Sequence, residues 1–285
     1  MGRSKLRHEQ SGSKLPHSKM PTSRIDNTFL ELRERGAKGL VVYVTAGDPT
    51  LDDTGKILGA LDCAGADLIE LGVPFSDPLA DGPVIQRASE RALRAGASLR
   101  KILELLPHWR RVMRGPMILF TYYNPILQYG LENLARDAAL AGVDGALVVD
   151  LTPEESCDYV AAMRSRNLDT VFLASPTSTD ERLARIAGLS TGFLYLISRT
   201  GVTGERQQLS SSLRPLVERV RRFTALPLAL GFGISTPEQV TEVQSLADAA
   251  VVGSALVRAI EDRYLTEGEA GIEKFVRWLK GRSTD

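Results

Sequence analysis

Short runs of β-branched and apolar residues alternate along the chain with segments whose apolar positions recur every three or four residues. The runs predict strands over 40–46, 68–73, 117–123, 146–150, 170–174, 193–198, 227–231 and 249–253. The segments between them predict helices over 51–66, 86–95, 98–113, 131–141, 153–166, 180–187, 211–222 and 237–246. Three helices open on capping signals, Thr152-Pro153-Glu154-Glu155, Ser178-Thr179-Asp180-Glu181 and Thr236-Pro237-Glu238-Gln239, each with a hydroxyl at the N-cap and Glu or Gln three residues later. Eight strand-helix units in about 230 residues, with no break in composition, fit a single (β/α)8 TIM barrel better than a doubly wound sheet of five or six strands. Residues 24–35 then form an extra N-terminal helix closing the barrel bottom, 272–280 a C-terminal helix, and 24–285 one barrel domain.

Composition adds the cellular setting. With 43% hydrophobic and 25% charged residues the chain has the balance of an ordinary globular protein. Cys63 and Cys157 have neither metal-type nor redox-type spacing, which points to free thiols in an intracellular, cytoplasmic protein. The net charge is zero but uneven: residues 1–24 carry six basic residues against Glu9, so this segment is +5 and the rest −5. A mildly acidic body has no electrostatic footprint for nucleic acid, and no apolar run approaches the length of a membrane span. Residues 1–23, rich in Ser, Lys, Gly and Pro, read as a disordered basic tail without function; an organelle transit peptide, or a true start at Met20, are the other readings.

The candidate chemistry lies between Glu70 and Pro83, in Glu-Leu-Gly-Val-Pro-Phe-Ser-Asp-Pro-Leu-Ala-Asp-Gly-Pro. Glu70 stands in an apolar strand, where burial disfavours the charged form; a strand-end glutamate paired with a buried arginine, or an exposed edge, would read the same way. Missing residue types narrow the options. The histidines are His8, His17 and His108, two in the tail and one in an outer helix, so neither a Ser/His/Asp triad nor a zinc site can be assembled. No lysine lies between Lys101 and Lys274, which removes a strand lysine for a Schiff base. Proton transfer falls to carboxylates, Glu70 and Asp81, with Tyr43, Tyr122, Tyr195 or Arg199 as possible helpers. A carboxyl at an apolar mouth is tuned towards neutral pH while one in a wetter loop stays ionised, giving two roles from one residue type.

Gly231-Phe232-Gly233-Ile234-Ser235 after the seventh predicted strand and Gly253-Ser254 after the eighth read as phosphate loops, where free N–H groups at a helix start hold a dianion. Tight strand-to-helix turns are the alternative. The polar, glycine-hinged segment from Arg199 through Thr203 and Gly204 to Arg206 is too long for a minimal turn and reads as a lid over the phosphate.

Together with Thr121-Tyr122-Tyr123-Asn124-Pro125-Ile126 and Ser198-Arg199-Thr200-Gly201-Val202-Thr203-Gly204, these blocks resemble the tryptophan synthase alpha subunit from about Ser23 to the C-terminal helix. The resemblance implies retro-aldol cleavage of indole-3-glycerol phosphate to indole and glyceraldehyde 3-phosphate, with no metal or organic cofactor in this subunit. It implies that Glu70 protonates indole C3 and handles the glycerol hydroxyl proton, that Asp81 accepts from the indole N–H, and that Tyr195 positions the catalytic groups. Gly204, Gly233, Gly253 and Ser254 would hold the phosphate, and Tyr43, Phe120, Tyr122 and Phe232 would line or flank the indole pocket. The implied partner is the pyridoxal-phosphate-dependent beta subunit in an α2β2 heterotetramer, which receives indole through a tunnel; Asp77, Pro78, Asn124 and Pro125 would face it.

Departures from the family pattern are few. Val149 and Thr152 replace expected prolines around Asp150, which can loosen the loop after the fourth strand, and Phe120 replaces a leucine, which can narrow the indole pocket. The rivals are another phosphate-binding barrel, such as a sugar-phosphate epimerase or isomerase or an indole-glycerol-phosphate synthase, the last needing strand lysines that are absent. A non-catalytic activator of a beta subunit, or a binding protein for an indole-like signal, would not need Glu70 and Asp81.

Overall fold

The computed structural model describes residues 23–197, 209–231 and 233–282. Residues 1–22 of the expected tail, the expected lid from Arg199 to Arg206 with Thr203 and Gly204, and Phe232 lie outside them; Ser23 is described.

Nine parallel strand segments are present among the described residues: β1 (Gly39–Thr45), β2 (Leu68–Gly72), β3 (Met117–Thr121), β4 (Gly145–Val148), β5 (Asp169–Val171), β6 (Leu173–Ala174), β7 (Leu194–Ile197), β8 (Leu228–Gly231) and β9 (Ala249–Val252). Their order is β5-β4-β3-β2-β1-β9-β8-β7-β6. β5 and β6 are two halves of one barrel strand. Asp169, Thr170 and Val171 pair with β4, Leu173 and Ala174 pair with β7, and the Phe172 carbonyl between them accepts from Tyr195 N at 3.1 Å. The sheet therefore closes on itself, and the expected (β/α)8 barrel is the fold.

The helices among the described residues are α1 (Arg24–Glu34), α2 (Leu51–Ala64), α3 (Pro83–Arg94), α4 (Leu99–Trp109), α5 (Tyr123–Tyr129), α6 (Leu131–Leu140), α7 (Cys157–Arg164), α8 (Asp180–Leu189), α9 (Leu209–Arg221), α10 (Pro237–Gln244) and α11 (Ser254–Leu279). Apolar residues on the outward faces of the strands, among them Val42, Val44, Ile69 and Leu71, pack against this ring. Inward positions form a separate cluster with Val41, Leu68, Ile118, Leu147, Phe193 and Val251, and Ile25 and Phe29 of α1 join it from below. The expected plug is thus in place, begun by a capping box in which Ser23 and Asp26 bond each other's backbone N–H.

Several expected boundaries are corrected. The helix over 153–166 starts at Cys157, because Thr152 Oγ1 donates to Glu155 Oε2 at 3.0 Å and the Glu155 N–H returns to the Thr152 carbonyl at 3.1 Å, closing a local turn instead of a first helical turn. Thr179, not Ser178, caps α8, accepting from Arg182 N. The strand predicted over 117–123 stops at Thr121, and α5 follows where no helix was expected: Asp150 Oδ1, from the next loop, accepts from Tyr123 N at 2.7 Å and caps the helix from outside, while Pro125 sits in the first turn, where no N–H is needed. The 272–280 helix is the end of α11, which bends at Gly268 (φ 62°). Among the described residues no helix is long and apolar enough to cross a membrane.

At the barrel bottom one device recurs. Asp67, Asp144 and Asp248 each precede a strand, and each donates its own N–H to the carbonyl of a neighbouring strand residue, Leu40, Met117 and Leu228. Each carboxylate then accepts the N–H of that same residue, at 2.7, 2.8 and 2.9 Å. Strand-end N–H groups that face no further strand are satisfied this way. Asp144→Ala, which orphans the Met117 N–H, is expected to lower the unfolding free energy by about 1–3 kcal/mol; urea unfolding checks this, and an unchanged midpoint would show that the bond adds nothing.

Candidate active site

Glu70 is the third residue of β2, two positions above Leu68 of the interior cluster, so the pleat turns it into the barrel. It is 1% exposed, Oε1 has no hydrogen-bond partner, and no ion pair to it occurs among the described residues. The alternatives of a buried arginine partner and of an exposed edge are therefore not realised there. Burial with no compensating charge pushes its carboxyl up to about 8, so it carries its proton at neutral pH.

Two tyrosines face this region, Tyr43 from the adjacent strand β1 and Tyr195 from β7 across the barrel, each over a glycine. Tyr43 is the register partner of Glu70 on β1, and a Cβ placed on Gly72 would stand 2.1 Å from its hydroxyl. A Cβ on Gly231 of β8 would stand 2.2 Å from the hydroxyl of Tyr195 on β7. These glycines leave the phenols room across the barrel mouth. Tyr43 shares a hydrogen bond with Thr45 Oγ1 at 3.3 Å, and its ring meets Phe120 edge to face at 5.2 Å. Burial, followed by the nearby Glu70 charge, holds the Tyr195 phenol well above its usual range.

Asp81 sits in the loop that joins β2 to α3. The Asp81 N–H donates to the Pro78 carbonyl at 3.0 Å, and Gln86 Nε2 holds the Asp81 and Pro78 carbonyls at 2.9 and 3.3 Å. The Tyr122 hydroxyl, just past β3, accepts from Ala80 N at 3.0 Å and donates to Asp81 Oδ2 at 3.1 Å. Burial raises the Asp81 carboxyl to about 6 against the opposing pull of that Tyr122 bond, so at neutral pH it is mainly ionised. Tyr122 stacks beside Phe75 at 5.1 Å and thereby joins the loop to β3.

At the other end, Gly233 adopts φ 63°, a left-handed conformation that suits glycine. Gly253 is the N-cap of α11 and Ser254 its first residue, with no side chain capping the free N–H groups. A Cβ on Gly253 would lie 3.7 Å from Tyr43 Cβ and 4.0 Å from Ile85 Cδ1, which places this helix start beside β1 and α3. Asp77 is exposed, Pro78 half-buried, and Leu79 between them and Ala80 is 93% exposed; Asn124 and Pro125 lie in the first turn of α5. Gly72, Gln86, Phe75 and Thr45 are not among the site residues expected from the sequence; of these Gly72 alone had a usable signal, a glycine inside a strand.

Carboxyl and phenol groups gathered at the carboxyl ends of parallel barrel strands define a (β/α)8-barrel enzyme working by acid-base chemistry. The family model of the tryptophan synthase alpha chain matches residues 29–280. A tryptophan synthase alpha chain from Solibacter usitatus is 55% identical over 259 residues, 90% of this chain and 97% of its own. That from Roseiflexus castenholzii is 50% identical over 260 residues, 91% of this chain and 100% of its own. Tryptophan synthase subunit alpha from Legionella pneumophila superposes with a TM-score of 0.85 at 36% identity, covering 92% of this chain and 98% of that one. Tryptophan synthase from Mycobacterium tuberculosis gives 0.82 at 38%, covering 91% and 97%. The chain belongs to the tryptophan synthase alpha-chain family. It is a carbon-carbon lyase that cleaves indole-3-glycerol phosphate to indole and glyceraldehyde 3-phosphate in tryptophan biosynthesis.

Gly72→Ala drives a methyl group into Tyr43 and is expected to cost about 1–3 kcal/mol of stability; an unchanged urea midpoint would show that the phenol does not occupy that space.

Proposed function

We propose that Glu70 and Asp81 divide the lyase chemistry between a neutral acid and an anionic acceptor. The observation that carries this reading is the buried, unpaired carboxyl of Glu70 on the inward face of β2, with Asp81 in the loop leaving the same strand. Protonated Glu70 delivers its proton to indole C3, and the ring becomes an indolenine whose N–H is bonded by the Asp81 carboxylate. The Glu70 carboxylate then takes the proton of the glycerol hydroxyl next to the ring. The C–C bond breaks, its electron pair returns to the ring to give indole, and the hydroxyl carbon becomes the aldehyde of glyceraldehyde 3-phosphate. Glu70 ends with the proton it started with. The protonated ring is itself the electron sink, so the step calls for neither a Schiff base nor a metal. Tyr195, kept protonated, positions the Glu70 carboxyl, and Tyr43, Phe120, Tyr122 and Phe232 enclose the ring. Gly233, Gly253 and Ser254 hold the phosphate.

The indole passes, in this proposal, to a pyridoxal-phosphate-dependent beta subunit in an α2β2 assembly. Leu79, 93% exposed beside Asp77 and Pro78, and Leu127 of α5, 56% exposed near Asn124 and Pro125, give that face the apolar surface a partner would cover. A cytoplasmic location and a catalytically silent tail belong to the same reading.

Purified protein given indole-3-glycerol phosphate is expected to release indole, faster when a beta subunit is added. Glu70→Gln should abolish release, a loss of about 10²–10⁴-fold or more, while glycerol 3-phosphate binding persists; near-normal turnover would show that another group is the acid. The logarithm of kcat/KM is expected to rise with pH through about 6 as Asp81 ionises and to fall through about 8 as Glu70 loses its proton. A profile flat across that window would remove this division of roles.

A further inference from the structure

Arg91 lies in the third turn of α3, remote from the barrel mouth, yet its guanidinium makes three ionic hydrogen bonds. Nε and Nη2 take the two oxygens of Asp48 at 2.8 Å each, and Nη1 takes Glu261 Oε1 at 2.8 Å. Asp48 is 5% exposed and lies in the loop that follows β1; Glu261 belongs to α11. One side chain thus ties together three elements that carry the site. α3 starts two residues after Asp81, α11 starts at Ser254, and β1 carries Tyr43.

The same three elements meet a second time near the helix starts. Val84 and Ala88 of α3, Val257 of α11 and Tyr43 of β1 form one small buried cluster, with Ile85 packed against it. Arg91 lies one turn of α3 beyond Ala88, and Glu261 one turn of α11 beyond Val257, so the ion bridge closes the far side of this wedge. An apolar wedge by itself is non-directional and lets two helices pivot. The planar fork of an arginine engaged at both of its edges fixes their angle and spacing, which a lysine ammonium cannot do.

We propose that Arg91 is a positioning residue that sets the separation between the Asp81 end and the helix-start phosphate end of the site, and so gauges the length of the substrate. This inference rests on the two-ended site described above. A pivot between α3 and α11 would leave each end intact while changing the distance between them. A ligand spanning both ends would then lose affinity, and a ligand touching one end would not.

The test compares wild type, Arg91→Lys and Glu261→Gln, the last keeping the Arg91–Asp48 pair. Calorimetry measures binding of indole, of glycerol 3-phosphate, and of a non-cleavable indole carrying a three-carbon phosphate chain, alongside kcat, KM and urea unfolding. Both variants are expected to bind the spanning ligand about tenfold more weakly and to lose a similar factor in kcat/KM, with each fragment held within about twofold. Equal loss for fragments and spanning ligand would show a merely structural role and overturn the proposal, as would an unchanged preference for the spanning ligand. Should Arg91→Lys not fold, Glu261→Gln decides. A wild type that binds the spanning ligand no better than the fragments would instead overturn the two-ended site itself.

Discussion

Closure of the parallel sheet leaves its backbone no unpaired edges but two open rims, and the polar groups at those rims must be satisfied or put to use. The strands are covered on both faces, from inside by Leu68, Ile118, Phe193 and their neighbours and from outside by the helices. Water does not reach these layers, so a polar group there needs a partner on the protein. At the bottom rim Asp67, Asp144 and Asp248 supply it, each bonding one neighbouring residue through both its backbone and its side chain. At the top rim the same chemistry has the opposite outcome. Among the described residues Glu70 Oε1 is left without a partner, and its buried carboxyl stays neutral at neutral pH.

That asymmetry gives the site its electrostatics. Two carboxyls on the same strand-and-loop segment occupy environments that push them to different values, about 8 for Glu70 and about 6 for Asp81. The difference is built from burial in one case and from burial opposed by the Tyr122 hydroxyl in the other. Tyr122, bonded at once to Ala80 N and Asp81, is also what holds the β2 loop against β3. The glycines at 72 and 231 serve the same region by absence: each lets a tyrosine hydroxyl occupy the space a side chain would fill.

Much of this was legible in the chain. Parallel strands buried on both faces read as continuous apolar runs, so eight of them could be counted, and Glu70 stood out because an acid interrupts one. The glycine loops and the Asp81 turn were visible as local backbone chemistry. The α5 helix was not, because its cap comes from Asp150, 27 residues away. Nor was the turn at Thr152 to Ser156, whose capping signal closed on itself through Glu155. Local signals name candidate partners; they do not choose among them.

What the sequence determined by itself was the alternation of elements, hence the barrel, and the candidate groups for moving protons, because both follow from residue type and spacing along one chain. What only the tertiary structure decided was the state of those groups. That Glu70 has no cation beside it among the described residues, that Asp81 has Tyr122, and that Arg91 reaches Glu261 across 170 residues of chain while holding Asp48 are consequences of through-space neighbours. Proton affinity and orientation depend on distance and dielectric, and these exist only once the barrel has closed.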